Sequence, residues 1–230
     1  MSSSKQTPSR DFRRAFKKSG HASFGTGPLR DGKDVSWIPW VRAGDDQGQT
    51  SACVIFAFEN WTTTMGIRNL GEKNCDQIRN TVCIEAYKWA IGDFGLTPGD
   101  GLTYHMGFEA AKLFGFFEPT RTGITTPVRN LRLVPHNDLK PLSKQPMLGG
   151  FAVTQDDMQP DANGFVADRH DEDLGGHAQL VVAAGKVDAY GGGQYVYREQ
   201  SWGISHGWNG LTYETEDRFK KRCFELWTIE

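Results

Sequence analysis

Asp46-Gln47-Gly48-Gln49-Thr50-Ser51-Ala52-Cys53 runs straight into Cys53-Val-Ile-Phe-Ala-Phe-Glu-Asn-Trp-Thr-Thr-Thr-Met65. In the second stretch Val54, Phe58, Trp61 and Met65 recur at helical spacing, and Ile55 and Phe56 widen the apolar face. The spacing predicts a largely buried helix that opens at Cys53. A cysteine in front of an apolar helix is ordinarily a small buried hydrophobe. At a helix N-terminus, however, unpaired backbone N–H groups and the helix dipole favour the thiolate of a group whose ordinary pKa is about 8.5. Two later islands offer complementary chemistry: Gly175-Gly176-His177-Ala178, which enters an apolar run, and Gln200-Ser201-Trp202-Gly203. A thiol, an imidazole to take its proton and an amide to orient the imidazole make a nucleophilic set.

The other histidines lack that context. His21 lies in a polar N-terminal stretch, His105 at a helix start, His136 and His170 in polar loops, and His206 in a Gly-rich turn. Bulk properties narrow the class without naming a partner. With 230 residues the chain can bury a sizeable core. Its 26 basic and 28 acidic residues give a net charge of -2, which supplies no global attraction to nucleic acid or anionic membrane. No apolar run approaches the ~20 residues of a membrane span, and the N-terminus lacks a hydrophobic signal region, so a cytoplasmic or virion-associated protein is expected. Cys53, Cys75, Cys83 and Cys223 form no CxxC pair and no Cys/His ligand cluster. Neither a metal nor another cofactor is expected, and a reduced compartment fits better than a disulfide framework.

The chain divides by pattern. Residues 1–34 are rich in Ser, Gly, Lys and Arg and read as a flexible basic arm, whose Phe12-to-Lys18 stretch could dock on an assembly partner. Helices are expected from Cys53, from about Cys75 to Ile91, and from Thr103 to Phe114, with Gly115 as the stop. Short β-type runs follow at 149–153, 178–183, 194–198 and 223–229, with a turn at Gly191-Gly192-Gly193 and a polar loop over 155–174. Helices first and strands second predict an α+β chain: residues 35–230 as one domain, a helical lobe over about 45–118 facing a β lobe over about 119–230.

Gln47, Cys53, His177, Ala178, Ser201, Trp202 and Gly203 together resemble the papain-like cysteine peptidases, over about residue 35 to the C-terminus. The likeness is strongest to microbial or viral branches without the usual disulfides; Thr50 stands where many relatives carry a disulfide cysteine. The resemblance implies a two-lobed fold, with an N-terminal helical lobe packed on a C-terminal antiparallel β-barrel-like lobe and an active-site cleft between them. It also implies the roles. Cys53 is the thiolate nucleophile, His177 the acid and base, and Gln47, with the Cys53 N–H, the oxyanion-hole donor. Gly99 and Gly101 are implied to present backbone to an extended peptide, and Trp202 and Gly203 to line the cleft. The family's asparagine is Gln200 here, expected to orient His177 despite one extra methylene. A peptidase or amidase acting on peptide or protein substrates follows, with Cys-dependent acyl transfer or peptidoglycan-peptide cleavage on the same triad as a variant. Gln200 and the basic arm motivate the alternative of a catalytically impaired structural or interaction protein, for example a phage particle component.

Overall fold

The apolar run after Cys53 forms helix α1, Cys53–Leu70, in a computed structural model that describes residues 35–42, 45–187 and 193–230. Every residue from Val54 to Ile67 is buried, so α1 is a central helix covered on all sides. Helices α2 (Asn80–Asp93), α3 (Tyr104–Leu113) and α4 (Pro119–Thr122) pack on it, and strands close its remaining flank. Phe58 anchors the helical side, with ring centroids 6.0 Å from each of Tyr104, Phe108 and Phe117. α2 begins at Asn80, later than the expected Cys75. The intervening lead-in is extended at Arg79, and the Asp76 N–H donates to the Thr120 carbonyl at 3.0 Å, which a helical start there would forfeit. Thr103 caps α3 by accepting the Met106 N–H.

The strands are β1 (Val35–Ser36), β2 (Leu131–Val134), β3 (Met147–Val153), β4 (Gly175–Val187), β5 (Gly193–Glu199), β6 (Leu211–Thr215) and β7 (Cys223–Ile229). They form one antiparallel sheet in the order β2-β7-β3-β4-β5-β6, with β1 beside β4. β2 and β6 lie at opposite ends of that path, so the sheet is open and the expected barrel-like closure is absent among the described residues. The polar loop opens with a short helix α5 (Gln155–Met158), held by a capping box between Thr154 and Asp157. Helix α6 (Glu216–Arg222) carries Glu216 and Asp217 at its start and Lys220, Lys221 and Arg222 at its end, matching the helix dipole. The arm expected over residues 1–34 lies outside the described residues, as does the Gly191-Gly192-Gly193 turn apart from Gly193, which opens β5.

Strands β2 and β6 escaped the sequence reading for different reasons. β2 is a short end strand with Arg132 and Leu133 exposed. β6 buries Leu211 and Tyr213 on one face and Thr212 and Glu214 on the other, so its alternation of apolar and polar residues is not one of inside and outside.

The tightest crossing is between α1 and α4. A Cβ on Gly66 would stand 1.9 Å from the Arg121 carbonyl oxygen, a backbone atom with no rotamer to move. Gly66→Ala is therefore expected to destabilise the fold by about 2–3 kcal/mol, the scale of overpacking a closed core, as read by denaturant unfolding; a neutral result would mean that α4 does not lie on α1 in solution.

Candidate active site

Residues 45–50 and 201–203 are hydrogen-bonded to each other beside the start of α1. The Gln47 N–H donates to the Ser201 carbonyl at 2.9 Å, the Ser201 hydroxyl donates to Gln47 Oε1 at 2.5 Å, and the Gly203 N–H donates to the Asp45 carbonyl at 3.0 Å. Gln47 Nε2 donates to the Thr50 carbonyl at 2.6 Å, which leaves its second N–H unspent. Behind this staple, Arg42 pairs with Asp45 at 2.6 Å and with Glu59 of α1 at 2.8 Å, so the loop is also tied to the helix. Burial pushes the Glu59 carboxyl well up, with Asp45 adding to the rise and Arg42 opposing it.

The loop ends at Ala52, which makes no side-chain cap, and the first turn of α1 carries no acidic residue. Helix N–H groups are thereby left facing Cys53. Burial raises the Cys53 pKa, while the backbone N–H groups of Ala178, Val54 and Cys53 itself pull it down. The Ala178 contact places the sulfur at the residue that follows His177 on β4.

His177 pairs across the sheet with Phe151 and is buried, 5 % exposed. Burial drives its pKa down to about 3, reinforced by Arg198 and His206; Asp157 and the Gln200 side chain draw it back up. Nε2 of the ring has no well-aligned hydrogen-bond partner among the described residues. Trp202 stacks flat on the imidazole, centroids 4.3 Å apart at 19°, and His206 stands edge-on to the same indole at 4.8 Å.

Gln47, Cys53, Gly99, Gly101 and His177 all line one cleft of about 550 Å³, walled further by Tyr104, Gly150, Phe224 and Glu225. The Gly99 carbonyl accepts the Ser51 hydroxyl at 2.7 Å, joining the two rims. Gln200 sits behind His177, 1 % exposed, and Trp202 and Gly203 stand beside the cleft without forming its lining. The arrangement offers a thiol, an imidazole and an amide donor on one open surface, a set suited to attack on a carbonyl carbon.

Several neighbours were not read from the sequence. Gln179, Arg198 and Thr212 surround Gln200, and Phe224 and Glu225 wall the cleft from β7. The period of two was the available signal for the first pair: Gln179 follows His177 by two residues and Arg198 precedes Gln200 by two, which puts each on its partner's side of a strand.

No protein-family model matches the sequence, and no curated protein matches it. Solved structures do. Procathepsin L 3 from the larval midgut of Tenebrio molitor aligns with a TM-score of 0.64 at 16% identity, covering 92% of this chain and 74% of that one. Xylellain, a cysteine protease from Xylella fastidiosa, gives 0.61 at 16%, covering 86% and 85%. The ragweed pollen allergen Amb a 11, a cysteine protease in its proform, gives 0.62 at 15%, covering 97% and 74%. With a buried helix opening on a cleft against an antiparallel sheet, and three cysteine proteases superposing along most of its length, the chain has the papain-like fold.

Proposed function

We propose that the protein is a cysteine-type peptidase or amidase that hydrolyses peptide bonds through Cys53, His177 and Gln47. The observation that carries this reading is the convergence of these residues, from separate segments, on one cleft where the thiol sits at an uncapped helix N-terminus. Burial disfavours a charge on Cys53 or His177 alone, but transfer of the proton from thiol to imidazole creates both charges together, each offsetting the other.

The Cys53 thiolate then attacks the carbonyl carbon, and the developing oxyanion takes hydrogen bonds from the free Gln47 Nε2–H and the Cys53 backbone N–H. The His177 imidazolium protonates the leaving amine, and neutral His177 next activates water to release the acyl group from sulfur. Ser51 and Tyr87 already engage the Gly99 carbonyl and N–H, so Gly101 is the rim backbone offered to an extended peptide. Gln200 orients His177 from behind, and Trp202 keeps water from that contact. The substrate is a peptide or protein segment. The depressed His177 pKa favours a second reading, a papain-fold protein in which the imidazole stays neutral and the cleft binds without cleaving.

Cys53→Ala and His177→Ala are each expected to lower turnover of a fluorogenic peptide library by at least about a thousandfold, with binding retained; equal activity in Cys53→Ala would end the proposal. Gln47→Ala should reduce kcat by about a hundred- to a thousandfold with little change in KM, the signature of a donor used in the transition state.

A pH titration tests the burial of His177 directly. In Cys53→Ala protein, ring NMR should show a neutral imidazole down to about pH 3. Because the unfolded chain protonates this histidine near 6.5, its neutral burial contributes stability fully above that pH and loses it as the pH falls towards about 3. A ring that titrates near 6.5 in the folded protein would contradict the buried geometry.

A further inference from the structure

Behind His177 a line of buried polar groups runs across three strands. Arg198 Nη1 donates to Gln179 Oε1 at 2.6 Å, Gln179 Nε2 donates to Gln200 Oε1 at 2.6 Å, and Gln200 Nε2 donates to Thr212 Oγ1 at 2.6 Å. Each of the four side chains is at most 1 % exposed. A guanidinium has donors and no acceptor, so the carboxamide beside it must present its oxygen. With its oxygen turned to Arg198, Gln179 offers its nitrogen to Gln200, which accepts through its oxygen and sends its own nitrogen to Thr212. The direction of the whole line is set at the arginine.

We propose that Gln179 and Arg198 are positioning residues that fix the amide of Gln200 with its oxygen towards His177, and so hold the imidazole for proton exchange with Cys53. The inference rests on the Cys53–His177 reading above and explains how a glutamine can serve at the asparagine position. Glutamine has one more rotatable bond than asparagine, and an unrestrained amide would present either end to the ring. Held at both ends, it presents an acceptor only.

Arg198 is itself clamped. Its Nη2 donates to Asp157 Oδ1 at 3.1 Å and its Nε lies 3.0 Å from Glu214 Oε1. Arg218 grips the same two carboxylates, at 2.7 Å to Asp157 Oδ2 and through a short contact to Glu214, and reaches Thr154 at 3.1 Å. Two guanidiniums and two carboxylates balance in charge within the core. Apolar residues of similar volume generally stabilise a core as well as such a group does. What apolar residues could not do is give Gln179 a donor-only neighbour. The titratable and charged groups that act on His177 are Arg198, His206 and Asp157, and Cys53 and Glu225 line the same cleft.

The test is the pH profile of Cys53 alkylation by iodoacetamide in the full chain, with modification at each cysteine counted by peptide mass analysis. In the wild type, Cys53 should react with a midpoint well below that of Cys75. Gln179→Met keeps side-chain length without the amide. It should melt as a folded protein, yet lose about tenfold in neutral-pH reactivity at Cys53, the scale of removing an orienting neighbour, with the midpoint moving up towards an ordinary thiol. Gln179→Leu, which also fills the site without polar atoms, should behave alike and decides the matter if the methionine variant does not fold. A folded variant with the wild-type profile overturns the positioning role alone. A wild-type Cys53 no more reactive than Cys75 overturns the Cys53–His177 reading and the positioning role with it.

Discussion

The complete burial of α1 is the constraint from which the rest follows. An 18-residue helix with no solvent face from Val54 to Ile67 must be enclosed by both helices and sheet, and only its ends can meet a surface. At its N-terminal end that surface is the seam between α1 and β4, so the residue that opens the helix stands beside the residues on that strand. Gly66 allows α4 to close against the far half, and Phe58 fills the space towards α3.

Burial of charge is the second theme. Glu59, Arg198, Glu214 and Arg218 are essentially inaccessible, and Arg42 bridges Asp45 to Glu59 beside the loop that carries Gln47. Breaking such a pair strands an uncompensated charge and typically costs about 3–5 kcal/mol, whereas the pair as a whole adds little net stability. In this chain the buried pairs sit at two places, beside the 45–50 loop and against the hydrogen-bonded line from Arg198 to Thr212.

Much of the main frame was legible along the chain. The helix at Cys53, the third helix within a residue at each end, and the strands at 149–153, 178–183, 194–198 and 223–229 were marked by apolar periodicity. α2 starts later than the spacing predicts because Ile78 is buried from the non-helical stretch before Asn80, and periodicity cannot tell that burial from a helical one. β6 and the polar line behind His177 were illegible because buried Thr, Glu, Gln and Arg look like surface residues in a sequence; only their mutual hydrogen bonds make them interior. The barrel-like lobe was an inference from resemblance, and the open path from β2 to β6 replaces it.

The sequence by itself determined the three long helices, the four strands with apolar runs and which residues carry reactive groups, because backbone preference, apolar spacing and side-chain chemistry are local properties. The tertiary structure alone decided that Gln47 is stapled to Ser201, that the Cys53 sulfur lies by the Ala178 N–H, and that Gln200 is gripped between Gln179 and Thr212. These contacts join residues from 12 to 154 positions apart. Hydrogen bonds and desolvation act over a few ångströms of space, and that proximity exists only once the helix has been enclosed.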